Sequence, residues 1–292
     1  MKNKHLLFVA FMAITATILM TACNKNTSAS SNAAGKQDLS LYLTDAPGFF
    51  DHVYLNILDV KVLIDTSVNT RLHDSTNWDR MGANEQVKDT SFIWEDLNIK
   101  PGIYDVLSLR NGTDTLLASS GIPKGAIRVI KIQLGTQNSL VKDSVTYPVS
   151  LPVSANNYVL LKLQGNECEE YLPGKNRLWL DFDVNNSIFA DGNHFILRPI
   201  FHFFILSNTG SISGYVHPSV AYAVMTIYNA TDTAYALPDM NKQGYFKARG
   251  LKSGTYSVYF NASNNGYKDT TITNVKVVSP NDTNLGVITL HK

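Results

Sequence analysis

Residues 39–44, Leu39-Ser40-Leu41-Tyr42-Leu43-Thr44, set leucines at every second position. That period of two is the signature of a half-buried strand. Asp45-Ala46-Pro47-Gly48 is turn chemistry and ends it. Val53, Leu55 and Ile57 resume one apolar phase, and Leu58, Val60, Val62 and Ile64 carry the opposite one. A phase switch inside one apolar run predicts a β-bulge near Ile57-Leu58. Residues 65–91 are rich in Asp, Asn, Thr and Ser and read as a long loop in which Trp78 stands out. Lys100-Pro101-Gly102 precedes a strand expected over 103–109, and Asn111-Gly112 predicts a hairpin return through 116–118. Pro123-Lys124-Gly125 introduces a strand over 126–134, with Ile130, Ile132 and Leu134 on one face. Lys142-Asp143-Ser144 predicts a turn between two short strands. Further strands are expected over 159–163, 177–184 and 195–206.

Ser207-Asn208-Thr209-Gly210 marks a boundary. Beyond it the apolar runs are short and the turns dense, giving six or seven strands among residues 212–216, 223–228, 245–248, 255–262, 271–278 and 285–290. No part of the mature chain has a convincing 3.6-residue apolar period. Short strands punctuated by turns argue for sandwiches or barrels. The expected fold class is all-β: two β-sandwich domains in tandem, 38–206 and 210–292, after a lipoprotein signal peptide and a short flexible tether.

The N-terminus carries that signal. Lys2 and Lys4 supply a basic start, residues 6–20 an apolar run broken by Thr15 and Thr17, and Met20-Thr21-Ala22-Cys23 a small-residue end at a cysteine. The run is 15 residues long, whereas a spanning helix needs roughly 20, so a processing signal is expected over 1–22. Cys23 is the expected lipidation site. Asn-, Ser- and Ala-rich residues 24–35 then behave as a tether within 23–37. The partner implied first is therefore a membrane, reached through the lipid anchor. The expected location is the outer membrane, with the globular part on the periplasmic or cell-surface side. Lys25 stands where acidic export signals would stand, so export through that membrane stays open.

Composition narrows the field. Removing residues 1–22 of 292 leaves enough chain for two domains. Net charge is +1 with 17% charged residues, which gives no basic surface for nucleic acid. After Cys23 only Cys168 remains, so no intrachain disulfide can form, and no sequence feature supplies the histidine that would activate a lone thiol.

Two resemblances add to this reading. Gly210-Ser211-Ile212-Ser213-Gly214, Gly244-Tyr245-Phe246, Gly250-Leu251, Gly254-Thr255-Tyr256-Ser257-Val258, Gly266-Tyr267, Asn274-Val275 and Leu285-Gly286 resemble the carboxypeptidase-regulatory-like, prealbumin-like sandwich modules. That resemblance implies a fold, with Tyr256 facing the core, and a spacer, stabiliser or occasional carbohydrate-binding role. Leu43-Thr44-Asp45-Ala46-Pro47, Asn111-Gly112-Thr113 with Leu116-Leu117, Leu180-Asp181-Phe182-Asp183 and Leu197-Arg198-Pro199-Ile200 resemble a family of uncharacterised domains of bacterial and archaeal lipoproteins. The match covers roughly 38–205 and implies a fold and a location, and no activity.

The sharpest candidate chemistry is Asp181 with Asp183. On a strand they share a face, their Cα atoms roughly 6.5–7 Å apart, with Leu178, Leu180, Phe182 and Val184 toward the core and Trp179 and Asn185 on the outward side. Two carboxylates, with Asp45 or Asn186 completing the set, could hold Ca²⁺ through oxygen ligands; Trp179 and Asn185 would add a ligand-binding surface. The competing reading is a solvated face, with Asp45 forming an Asx turn before Pro47. A glycosidase acid–base pair is a remoter possibility, since same-face neighbours fall within the inverting separation. His52, His73, His194, His202, His217 and His291 lack zinc-ligand spacing, and no nucleophile elbow or phosphate loop occurs; His202 is expected at the seam between domains. Tyr42, Tyr54, Trp179, Tyr228, Tyr235 and Tyr259 are candidate outward aromatics. No catalytic residue is assigned. The expected function is a non-catalytic envelope lipoprotein with a binding or structural role, its partner an envelope protein or a glycan; the alternative is a carbohydrate-binding lipoprotein or, less readily, a glycoside hydrolase.

Overall fold

Alternating leucines at 39, 41 and 43 and at 178, 180 and, with phenylalanine, 182 build the first sheet, because both runs turn the same phase inward and are fully buried. The computed structural model describes residues 35–46, 48–67, 77–85, 89–164, 167–192 and 194–292. The signal segment, Cys23 and most of the tether lie outside the described residues, as do Pro47 and His73. Strand β1 (Lys36–Ala46) runs parallel to β11 (Lys175–Asp183) and antiparallel to β5 (Thr115–Pro123), with β10 (Glu169–Leu172) and β14 (Phe201–Phe204) also on β11.

The second sheet is organised on β2 (His52–Asp65). It follows the path β12 (Ile188–Asp191), β13 (His194–Leu197), β8 (Val145–Ser150), β7 (Asn138–Lys142), β2, β6 (Ala126–Leu134), β9 (Tyr158–Lys162), with β3 (Phe92–Asp96) and β4 (Gly102–Asp105) also paired to β2. The register of β2 against β6 shifts between Ile57 and Asp59, where the change of apolar phase places the bulge. Val53, Leu55 and Ile57 before it, and Val60, Val62 and Ile64 after it, therefore all reach the same core as Leu41 and Phe182. Asp143 and Ser144 take left-handed φ of 50° and 63° and close the β7–β8 hairpin, the twist-matched tight turn.

Four expectations need correction. Residues 65–91 are not all loop: helix α1 (Trp78–Asn84) has Asn77 accepting from the Arg80 N–H and Glu85 in the left-handed region at its end. Its Trp78 and Met81 cover Leu63, Phe92 and Val129 on the outer face of the second sheet; packing, not propensity, sustains so short a helix. The strand expected over 103–109 stops at Asp105, and residues 106–109 form a 3₁₀ turn that buries Val106, Leu107 and Leu109. Asn111-Gly112 does reverse the chain with φ of 58° and 81°, yet it makes no hairpin: β4 pairs with β2, and β5 with β1 in the other sheet. The strand expected over 195–206 is two strands in different sheets; Pro199 between them has no N–H to give a ladder.

Residues 210–292 form two further sheets around a separate core. One has the order β18 (Tyr245–Leu251), β15 (Gly210–His217), β21 (Asp282–Thr289); the other β17 (Thr233–Ala236), β16 (Val224–Tyr228), β19 (Gly254–Asn261), β20 (Thr270–Val277). Tyr256 is buried in this core, and its hydroxyl donates to Asp232 and to the Lys252 carbonyl, 3.0 Å each. Gly35–Lys292 together make one compact unit. No helix among the described residues is long and apolar enough to cross a membrane.

Asp282 knits the three-stranded sheet, accepting from the Ser211 and Ser213 hydroxyls on β15 and pairing with Lys247 on β18. Burial pushes its carboxyl up, but those hydrogen bonds and the lysine outweigh burial and hold it below the usual aspartate value. A depressed folded value gives stability that is fully present above the unfolded value, near ~3.9, and lost as pH falls through the folded one. Asp282→Asn is therefore expected to destabilise the protein at about pH 7, and the gap to wild type should be narrower at about pH 3, as the pH falls toward the folded value. Urea unfolding at both pH values measures it, and a pH-independent gap refutes the assignment.

Candidate functional site

The parallel ladder sets Tyr42 beside Trp179 and Thr44 beside Asp181, so these four share the face of the first sheet that points away from its core. The expectation that this face meets solvent is wrong for Trp179, which is 4% exposed. Its ring stacks on Tyr42 at 5.0 Å and on Phe204 at 6.2 Å, and the Arg177 guanidinium lies over it at 5.2 Å. Its indole N–H donates to Asp114 Oδ2 at 2.9 Å, and the same oxygen accepts from Arg249 Nη1 at 2.9 Å. Arg249 belongs to the other sandwich. Its Nη2 also reaches Thr44 Oγ1 at 3.1 Å and the Thr113 carbonyl at 3.3 Å, while the Lys247 N–H donates to Asn111 Oδ1 at 3.2 Å. A Cβ on Gly112 would stand 3.1 Å from the Lys247 side chain. The supposed ligand face is thus a joint between the two sandwiches. Alternation tells which way Trp179 points and says nothing of what covers it.

The other members of that set separate. Asp183 ends the strand and caps helix α2 (Val184–Ser187), accepting from Asn186 N at 3.1 Å and Asn186 Nδ2 at 2.8 Å. His202 Nε2 lies 3.6 Å from its Oδ2. Burial raises the Asp183 carboxyl, but His202 and Asn186 outweigh it and hold it low, while Asp183 raises the His202 imidazole in return. Asn185 sits in α2, after the strand has ended, and so does not continue the carboxylate face as expected. Asp45 is buried, and neither of its oxygens has a hydrogen-bond partner; the Asx turn expected there does not form. Burial first, then the Asp181 charge, hold its carboxyl well above the usual range. Among the described residues no group of three or more His, Cys, Asp or Glu is placed to hold a metal ion, so the three-aspartate calcium set does not assemble. Burial, with a smaller push from Glu167, raises the Cys168 thiol to about 12, which removes the thiolate a nucleophile needs.

A different feature offers room for a ligand. An open groove of about 720 Å³ is bounded by Asp79 and Ala83 of α1, the 152–156 loop, Tyr158 to Leu160 of β9, Asn186, Phe189 of β12 and residues 197–200. Strands β9 and β12 are the two ends of the large sheet's path, so the groove lies where that curled sheet stops short of closing. Phe189 is 45% exposed, with the Arg198 guanidinium over its ring at 5.3 Å. Lys131 Nζ covers the Tyr158 ring at 4.5 Å, and Lys162 holds Asp79 at 3.0 Å. The sequence reading missed these residues. Their signal was faint: the pairs Asn156-Asn157 and Asn185-Asn186 beside isolated aromatics, far apart along the chain.

The family described as a domain of unknown function (DUF4382) matches residues 36–199. None of the curated proteins matches the sequence. Among solved structures, an interface mutant of a type II cohesin–X-dockerin complex from Acetivibrio cellulolyticus is 28% identical over 27% of this chain, with a TM-score of 0.22. The chain spans 56% of the length of that structure. The minor pilin GBS52 of Streptococcus agalactiae is 10% identical, covering 87% of this chain and 95% of the pilin. The shaft pilin SpaA of Lactobacillus rhamnosus GG is also 10% identical, covering 88% and 97%. Both score 0.22.

The joint makes a direct prediction. Arg249→Ala leaves Asp114 with the Trp179 indole alone and removes a charged, mostly buried donor set. A loss of about 2–3 kcal/mol is expected, and where the wild type is expected to unfold in one transition the variant should unfold in two as the sandwiches uncouple. Urea unfolding followed by tryptophan fluorescence and circular dichroism checks it; coincident, unshifted curves would count against the joint.

Proposed function

We propose that this chain, which belongs to the DUF4382 family through residues 36–199, is a non-catalytic binding lipoprotein of the cell envelope whose ligand, a glycan, lies in the groove between β9 and β12. The observation that carries this reading is the groove itself: aromatic side chains, Tyr158 and Phe189, flanked by Asn156, Asn186 and Arg198 on a rigid all-β frame. Aromatic faces stack on the C–H faces of sugar rings, and planar amides and guanidinium groups bond ring hydroxyls. Hydrolysis needs two carboxylates flanking the bond. The described lining holds one, Asp79, engaged by Lys162.

The rest of the chain fits that role. Lipidated Cys23 anchors the protein to the outer membrane, and the polar tether up to residue 37 sets the globular part off the bilayer. Residues 38–206 form the binding domain. Residues 210–292, a carboxypeptidase-regulatory-like module, hold its outer sheet rigid through Arg249.

Two experiments test this. The full-length chain, in detergent, is run in affinity gels against envelope and dietary polysaccharides. A defined glycan should retard it, and Phe189→Ala should weaken retardation roughly 10- to 100-fold, the worth of one buried aromatic ring. Retardation by no glycan would overturn the ligand class and direct the search to a protein partner. In cells, Cys23→Ala should abolish fatty-acid labelling and release the protein from the membrane fraction; unchanged labelling would refute the anchor.

A further inference from the structure

Among the described residues, the groove between β9 and β12 holds one charge that no ion pair matches. Its described lining has two charged side chains, Asp79 and Arg198. Lys162 Nζ lies 3.0 Å from the Asp79 carboxylate, so that pair is neutral. The Asp183 carboxylate is also engaged: it accepts from the Asn186 amide at 2.8 Å and lies 3.6 Å from His202. Arg198 is exposed, and no described carboxylate or carbonyl accepts from its guanidinium. Arg128, Arg177 and Arg249 differ, since each has a carboxylate within 3.4 Å. Arg198 is nevertheless held in place. Its backbone N–H donates to the Ser187 carbonyl at 2.8 Å, and its guanidinium lies over the Phe189 ring at 5.3 Å.

We infer that the groove selects an acidic glycan, whose singly charged oxyanion, a uronate carboxylate or a sulfate ester, is bound by the Arg198 guanidinium. This rests on the reading of the groove as a glycan site and names the class of glycan. A guanidinium presents five N–H donors in one plane, a fork that meets two anion oxygens at once. A neutral sugar seated in the groove strips water from Arg198 and returns only hydroxyls, which are weaker acceptors than a charged oxygen. An anion returns the opposite charge, and beside the apolar Phe189, Pro199 and Ile200 that attraction is less screened than in water. Asp79, tied to Lys162, does not oppose it. Charge matching of this kind sets specificity more than it adds raw affinity.

Affinity electrophoresis of the full-length chain in detergent compares polygalacturonate with its methyl ester, and dextran sulfate with dextran. Each pair shares a backbone and differs in charge. The charged member of at least one pair should retard the protein more than its neutral counterpart, and the pair that responds identifies the anion. Arg198→Gln should cut that preference roughly tenfold or more. Arg198→Lys, which keeps the charge and loses the fork, should restore part of it. Lys268→Gln, which removes an exposed cation on the other sandwich, should behave as wild type, and so separates the site from general attraction to a polyanion. Retardation by neutral polymers equally or alone, or a charge preference that Arg198→Gln leaves intact or Lys268→Gln removes as well, overturns the acidic-glycan assignment and leaves the groove a glycan site. Retardation by no polymer in these pairs or in the wider polysaccharide panel overturns the glycan reading and this assignment with it.

Discussion

The joint between the two sandwiches is centred on Arg249. Its guanidinium reaches Asp114, Thr44 and the Thr113 carbonyl at 2.9 to 3.3 Å. The planar fork suits that task better than a lysine would, because it satisfies several acceptors in one plane without losing many rotamers. Asp114 is the other half of the arrangement. One of its oxygens collects both the Trp179 indole N–H and Arg249, so the aromatic layer of Tyr42, Trp179 and Phe204 and the opposite sandwich share one anion. Asn111-Gly112 adds a second tie, since its left-handed turn lets the backbone approach Lys247 closely. A sheet face that would otherwise expose an indole and a tyrosine ring becomes an interior surface.

That coupling explains why the groove and not the joint is the candidate for ligand binding. In the joint, the Arg249 guanidinium finds its acceptors inside the protein, and the aromatic rings are stacked on one another. At the groove Phe189 keeps 45% of its surface, Ile200 is exposed beside it, and Arg198 covers only one ring face. The two ends of the large sheet, β9 and β12, meet there without pairing. Unclosed sheet ends and exposed aromatics are liabilities in a protein with no partner. Their coincidence in one concave site, rimmed by amides, is what a recognition surface needs.

Local pattern revealed a good deal of this. The bulge between Ile57 and Asp59, the Asp143-Ser144 turn, the buried Tyr256 and the strands around them follow from period-two phase and from residues that tolerate left-handed backbone. What local pattern cannot carry is the identity of the covering surface. Leu178-Trp179-Leu180-Asp181 alternates identically whether its polar phase meets water or Arg249, 70 residues away. The Asn111-Gly112 turn reads as a hairpin because the sheet each flanking strand will join is decided by long-range pairing. Helix α1 has too few turns to show a period, and exists because Trp78 and Met81 cover Leu63 and Val129. The groove is assembled from four stretches of chain, so no single stretch announces it.

One residue was legible without being read for what it is. Leu39, Leu41 and Leu43 define the inward phase of β1, and Asp45 is the next position in that phase. A carboxylate there conflicts with the pattern that precedes it. The structure resolves the conflict in part by ending the strand one residue later, and leaves Asp45 buried, unbonded and on the wall of a small cavity in the joint. Where local and global rules disagree and the protein keeps the disagreement, strain or a ligand is the usual cause. Leucine at this position would extend the core seamlessly. Burial and the Asp181 charge outweigh the Arg110 guanidinium and hold the Asp45 carboxyl well above the usual range, so the fold accommodates the acid by favouring its protonated form.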